Sequence, residues 1–240
     1  MREVSKEAVR GFWEAEACGE RYGDDQDRLR YTLEPQIAPF AEFPTASGRR
    51  VLEIGLGMGS DFLRFVRAGA TANGVDLTER AVSITQERLD GEGLRADVRV
   101  ADAETLPFED GSFDIVYSWG VLHHTPDPAR AIAEAIRVVA PGGQLKLMLY
   151  HRRSWVAAAA WLRFCLLRGR PLAGLRKAVS YIESPGTQAF TAPEIRTLLS
   201  GMSMVSVEPS LTVWDRRWAP GISSLFGDRF GWFLLIRATK

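Results

Sequence analysis

The run VLEIGLGMGSD at residues 51–61 constrains this chain more than any other feature. A short apolar strand ends at Ile54, glycines follow at Gly55, Gly57 and Gly59, and an amphipathic helical pattern begins at once. Glycine suits so tight a turn, and it lets a ligand approach the backbone beside a helix N-terminus. Strand, glycine turn and helix in that order open a βαβ unit, which calls for further parallel strands and crossover helices. Such segments follow. TANGVDL from 71, DVRVADA from 97, FDIVYS from 113 and QLKLMLY from 144 read as strands, with helical patterns near 60–69, 78–91 and 128–139 between them. Two more strands are expected near 203–213 and 230–238, close enough to pair antiparallel. The fold expected is α/β, a doubly wound, seven-stranded and mostly parallel sheet.

A single domain is expected, with a helical N-terminal cap over 1–48, a core over 49–150, a helical insert over 151–190 and a closing helix and two strands over 191–240. The 240 residues are enough for one sizeable core. The insert stands out by charge: residues 151–182 hold seven basic side chains (Arg152, Arg153, Arg163, Arg168, Arg170, Arg176, Lys177) and no acidic ones. Its basic face suits an acidic substrate, a membrane surface or plain solvent. Thr191 and Glu194 in TAPE have the spacing of a capping box that opens a helix. Thirty basic residues balance thirty acidic ones, so no net field favours nucleic acid. Cys18 and Cys165 lie far apart without metal-ligand spacing, and the charged N-terminus lacks an apolar signal core. The apolar stretch from Trp155 to Leu167 is interrupted by Arg163 and is too short to span a bilayer. These features point to a cytoplasmic protein without integral membrane association.

A glycine turn alone also opens dinucleotide-binding folds, so its acidic neighbours carry the discrimination. The spacing is GxGxG, and Ser60 holds the place where GxGxxG needs its third glycine. Glu53 precedes the turn by two residues, and a carboxylate there suits a cationic ligand such as a sulfonium amino acid better than a pyrophosphate. Asp76 ends the second strand, where a carboxylate can accept both hydroxyls of a ribose; its bland alternative is a helix cap. Asp102 follows the third strand, placed to accept from an adenine amino group while Ala103 offers its backbone N–H; the alternative is a surface turn.

Taken together, LEIGLGMG, GVDL, ADAETLPF, FDIVYSWGVLHH and APGG resemble the class I S-adenosylmethionine methyltransferases from about Arg50 to Tyr150. The branch most similar is the one acting on small molecules, including quinone-pathway and natural-product enzymes. The resemblance implies a Rossmann-like fold, S-adenosyl-L-methionine as cofactor and a small-molecule methyl acceptor. It also implies that Gly55, Gly57 and Gly59 face the methionine part, Asp76 with Leu77 the ribose, and Asp102 with Ala103 the adenine. Ser118 and Trp119 would line the methionine side, and Tyr22 and Tyr31 would cover the cofactor from the N-terminal helices. No known substrate motif matches the tail after Tyr150.

Ligands of open α/β sheets bind beyond the carboxyl ends of the strands. His123 and His124, after the fourth strand, and His151, after the fifth, therefore sit where a general base for an oxygen or nitrogen acceptor is wanted. The alternative for each is a structural hydrogen bond. Adjacent histidines point apart and no carboxylate is spaced to join them, so no metal is expected. The seven tryptophans suit either core packing or an apolar substrate pocket. A short-chain reductase is excluded, since none of the five tyrosines has a lysine four residues later. A nucleic-acid enzyme is disfavoured by SWGV at 118–121, where flipped-base amino methylation uses an Asn/Asp-Pro-Pro-aromatic tetrapeptide. The remaining rival is a protein of the same fold that binds the cofactor without transfer, as a binding subunit or a cyclase. A homodimer is compatible with the sequence.

Overall fold

A computed structural model describes residues 4–240, apart from the side chains of Tyr22, Asp24 and Ser224. Its sheet holds β1 (Arg50–Ile54), β2 (Thr71–Asp76), β3 (Asp97–Val100), β4 (Phe113–Trp119), β5 (Val139–Tyr150), β6 (Ser203–Ser210) and β7 (Phe233–Thr239). The spatial order is β3-β2-β1-β4-β5-β7-β6. The first five strands run parallel, and β7 lies antiparallel between β5 and β6. Strand order reverses between β1 and β4, which opens a crevice at their carboxyl ends.

The N-terminal segment forms α1 (Lys6–Ala15), α2 (Gln26–Leu33) and α3 (Ile37–Ala41), and the crossovers are α4 (Ser60–Arg67), α5 (Glu79–Gly91) and α6 (Pro128–Val138). The insert contributes α7 (Trp155–Phe164) and α8 (Leu175–Val179), followed by α9 (Ala192–Leu198) and α10 (Val213–Trp218). Helix starts follow capping chemistry. Thr78 accepts from Ala81 N to open α5, Asp127 accepts from Arg130 N with Pro128 at the first position of α6, and Thr191 with Glu194 closes the expected box on α9.

Central strands are buried on both faces, as parallel strands between helical layers must be. Leu52, Ile54, Val116, Leu145 and Leu147 face one layer with residues of α6 and α9. Val51, Ile115, Tyr117 and Met148 alternate to the other, against Phe40 of α3 and Phe65 of α4.

The structure departs from the sequence reading at three strand ends. β3 stops at Val100, because the Asp102 carboxylate accepts from Glu104 N and turns the chain. β5 begins at Val139, since APGG is absorbed as an irregularity in its pairing with β4. β6 ends at Ser210, because Thr212 and Asp215 cap α10 in a second capping box that the strand pattern hides.

Candidate active site

A cavity of about 800 Å³ opens over the carboxyl ends of β1, β2, β4 and β5 and is roofed by α1 and α2. Its floor is the glycine turn. Gly55 has φ +89°, and a Cβ there would stand 2.1 Å from Val121 Cγ2, so only glycine fits. Gly57 lies on the cavity wall opposite the Cys18 carbonyl. Gly59 caps α4 with φ +73°, and the side chain of Thr85 fills the space beside it. It shapes the turn from behind rather than lining the cavity.

Asp76 reaches the wall from the tip of β2 with both oxygens engaged: Oδ2 accepts from Leu56 N at 2.9 Å and Gly57 N at 3.3 Å, and Oδ1 from the Thr78 backbone N–H and hydroxyl. The carboxylate therefore braces the glycine turn, and a ribose diol would have to replace these partners. Leu77 and Ala103 also line the cavity. Asp102 lines it too, capped by Lys6 Nζ at 2.5 Å, and Lys6 reaches Glu104 as well.

Behind the turn lies a buried ionic cluster. Asp61, at the start of α4, accepts from Arg30 at 2.6 and 3.1 Å and from the hydroxyls of Tyr31 and Tyr117 at 2.8 Å each. Burial works to raise its carboxyl, but the Arg30 charge and these hydrogen bonds outweigh it and hold it below the usual aspartate range. Glu53 beside it is buried with Oε2 unpartnered; burial first, and then the Asp61 charge, push it well above the usual carboxylate range. Glu53 therefore lies under the cavity floor and not on its wall, unlike the direct ligand contact expected of it. Tyr31 is held against Asp61 with the Arg64 guanidinium over its ring at 3.6 Å, so it does not cover the cavity. The Tyr22 side chain lies outside the described residues.

At the tip of β4, Trp119 lines the cavity and donates its indole N–H to Glu34 Oε2 at 2.7 Å. Ser118 points into the sheet, donating to the Ile54 carbonyl at 2.8 Å, because alternate residues of a strand face opposite sides.

The three histidines take different surroundings, although the rings of His123 and His124 touch. His124 lines the cavity, with Nδ1 2.8 Å from Thr187 Oγ1 and 2.9 Å from Ser184 Oγ; burial pushes it down to about 4. His123 packs 4.1 Å from the Tyr150 ring, fully buried with both nitrogens unpartnered, and burial keeps it neutral. Its ring also packs 4.2 Å from that of His124, so the adjacent histidines do not point apart as expected, yet His123 stays in the core and off the cavity wall. The His151 ring is buried and meets the Gly231 carbonyl through Nδ1 at 3.0 Å, also away from the cavity.

The far end of the cavity is walled by Trp13, Trp214, Trp218, Trp232 and Tyr150, with the carboxylates of Glu34 and Glu183 among them. Glu183 is hydrogen-bonded by Tyr150, and burial raises its carboxyl to about 7. Neither Glu183 nor Lys6 announces itself in the sequence. Glu183 sits in the turn ESPGT after the basic insert, and only the Pro-Gly pair marks that stretch as a bend. What delivers it is the tie from Ser184 and Thr187 to His124, across 60 residues of sequence.

Residues 52–147 match the family described as a methyltransferase domain. Over 111 residues the chain is 41% identical to a 27-O-demethylrifamycin SV methyltransferase of Amycolatopsis mediterranei, covering 43% of this chain and 39% of that protein. Over 100 residues it is 39% identical to a ubiquinone biosynthesis O-methyltransferase of Aromatoleum aromaticum, covering 41% of this chain and 43% of that one. The chain thus spans about two fifths of the length of these curated relatives. A phosphoethanolamine N-methyltransferase 2 from Haemonchus contortus, solved with S-adenosyl-L-methionine, superposes with a TM-score of 0.70 at 18% identity. That match covers 99% of this chain and 60% of the other, and is a likeness of fold. Residues 52–147 thus resemble a methyltransferase domain, carried on a sheet whose order reverses at the glycine turn.

Proposed function

We propose that the protein transfers a methyl group from S-adenosyl-L-methionine to an oxygen or nitrogen nucleophile of a small molecule, oxygen being the better match. The observation that carries this reading is one continuous cavity. It joins the glycine turn and the Asp76 and Asp102 carboxylates to an aromatic end containing a titratable carboxylate. Its 800 Å³ lies within the range for small-ligand sites. The residues present fit the cofactor: Gly55 and Gly57 leave the backbone open beside the methionine part, and Asp76 with Leu77, and Asp102 with Ala103, stand where the nucleoside would lie. Lys6 on Asp102 and the loop amides on Asp76 are the contacts that binding would rearrange.

The bound cofactor supplies an electrophilic methyl on a positively charged sulfur, so the protein's part is alignment and proton removal. Methylation of a hydroxyl would release that hydroxyl's proton, which needs an acceptor beside the site. The hydroxyl proton goes to the Glu183 carboxylate. With its carboxyl near 7, Glu183 is balanced between its two forms at working pH, which is what a general base needs. Tyr150 holds that carboxylate, and its own phenol is kept protonated, chiefly by burial. His124 anchors the turn at 184–187 that presents Glu183. It is a positioning residue, since at about 4 it is too weak a base. The curated relatives' names, a rifamycin tailoring enzyme and a ubiquinone-pathway enzyme, support a biosynthetic acceptor.

Calorimetric titration with S-adenosylmethionine, S-adenosylhomocysteine, NADH and NADPH tests the cofactor. Micromolar binding of the adenosyl ligands alone is expected, and their failure to bind folded protein would overturn the reading. With an acceptor in hand, turnover should rise with pH through about 7. In Glu183→Gln it should fall by about 100-fold or more and lose that rise, with adenosyl affinity kept. An unchanged profile would remove Glu183 from the chemistry.

A further inference from the structure

The basic insert ends in a tip built unlike the rest of the surface. Residues 166–172, LLRGRPL, are exposed throughout, with Leu167 75% and Leu172 99% accessible. Leu162 on the preceding turn of α7 is exposed as well. A second exposed apolar group, Leu225 and Phe226 with Ile222 just before them, lies at the 3₁₀ segment after α10. Both groups are fastened to α7: Trp155 at its start packs 5.7 Å from Phe226, and Phe164 at its end packs 6.4 Å from Trp218 of α10.

The charges among these apolar groups are mostly positive; the acidic exception, Asp228, accepts from Leu211 N. Arg163, Arg168, Arg170 and Lys177 of the insert, and Arg216, Arg217 and Arg229 beyond it, make no ion pair among the described residues. Of the seven basic residues in 151–182, only Arg152 and Arg176 meet a carboxylate, and they share Glu194. Arg163 and Arg168 instead rest over Phe164, at 5.6 and 5.2 Å. The whole chain is neutral, so this concentration of positive charge is local. Exposed leucines and phenylalanine interleaved with unpaired arginines match the face of an interfacial membrane anchor, where apolar side chains enter the acyl boundary and cations meet anionic headgroups. Among the described residues no helix is long and apolar enough to cross a membrane, so the contact is with its surface.

We propose that the insert tip at 162–172, with the 222–226 segment beside α7, docks the protein on an anionic lipid surface. The elements that carry this face also wall the aromatic end of the cavity, through Val156, Ile182, Trp214 and Trp218. A lipophilic acceptor held in the bilayer would then enter beside the docked lip. That entry route rests on the methyl-transfer reading; the docking does not.

The test is sedimentation of the purified full chain with vesicles, without cofactor. Phosphatidylglycerol–phosphatidylcholine vesicles should retain the protein at low salt, and pure phosphatidylcholine should not. High salt should release it. Leu167→Asp/Leu172→Asp should abolish retention, and Arg168→Gln/Arg170→Gln should weaken it about thirtyfold, at roughly tenfold or less per charge. All four side chains are exposed, so thermal midpoints and S-adenosylhomocysteine affinity should stay as in the parent. Absence of retention on anionic vesicles overturns the proposal, and so does equal retention of parent and variants. A concentration-dependent dimer broken by the leucine pair would also overturn it, assigning the face to a second copy. Loss of S-adenosylhomocysteine binding in the parent would strike the methyl-transfer reading and leave the docking standing.

Discussion

Replacing Arg30 by leucine isolates a charge that the fold cannot rehydrate. The Asp61 side chain is 1% exposed and the Arg30 side chain 25%, so the two partners are not equivalent. Without the guanidinium, the Asp61 carboxylate keeps two phenolic hydrogen bonds but loses the one ion pair it makes among the described residues, with Glu53 buried beside it. Breaking a buried pair from one side costs about 3–5 kcal/mol. At about 2–4 °C per kcal/mol for a chain of this size, the thermal midpoint should fall by roughly 6–20 °C. Asp61→Asn strands an arginine that still reaches the cavity, and should cost less. The double variant Arg30→Leu/Asp61→Asn should then be more stable than Arg30→Leu alone, because it removes the stranded charge. Asp61 lies below its ordinary value when folded, chiefly through Arg30, so the stability it lends is present at neutral pH and is lost as pH falls below about 4. In Arg30→Leu the deficit should accordingly be full at pH 7 and narrow toward pH 4. Urea unfolding of the four proteins across that range measures it. A deficit under about 1 kcal/mol, or strictly additive effects, would refute the reasoning.

Glu53→Gln should stabilise the protein at pH 7 to 8. The buried acid is raised on folding, so it opposes folding increasingly as pH climbs past its unfolded value near about 4.3; the gain should vanish below that pH, and a gain independent of pH would count against it. Gly55→Ala should cost about 1–3 kcal/mol from its positive φ alone, and more from the collision with Val121; adding Val121→Ala removes the two methyl contacts but leaves Val121 Cβ at 2.8 Å, so thermal unfolding should show only part of the collision recovered.

The parallel core was legible because buried strands and amphipathic helices write strong periodicities, and Gly55 marks a turn no other residue tolerates. Strand ends were less so. Thr212 and Asp215 stop β6 through a cap whose residues also suit a strand, and Asp102 ends β3 by a side-chain bond that propensity does not register. Asp76, Leu77, Asp102, Ala103 and Trp119 reach the cavity because a strand tip fixes where its residues point. Ser118 fails by one step of the same alternation. The histidines show the limit: spacing puts all three at the right edge of the sheet, yet only packing decides that His123 turns inward and that His124 holds a turn. Glu183 is beyond local reading, since its burial and its contact with Tyr150 come from chain segments far apart in sequence.

The roof over the cavity joins the sheet mainly through ion pairs and polar caps. Lys6 reaches Asp102 and Glu104, Glu14 accepts from the backbone of Glu79 and Arg80, Glu20 pairs with Arg80, and Asp27 with Arg88. Such contacts are individually weak and screened by salt, whereas the apolar layers beneath are indifferent to it. The rim of the α1–α2 roof is therefore held by charge, while α3 behind it is part of the apolar core. Raising ionic strength should loosen that rim before it affects the core. Salt should then shorten the residence of a ligand in the cavity while leaving the thermal midpoint of the core nearly unchanged.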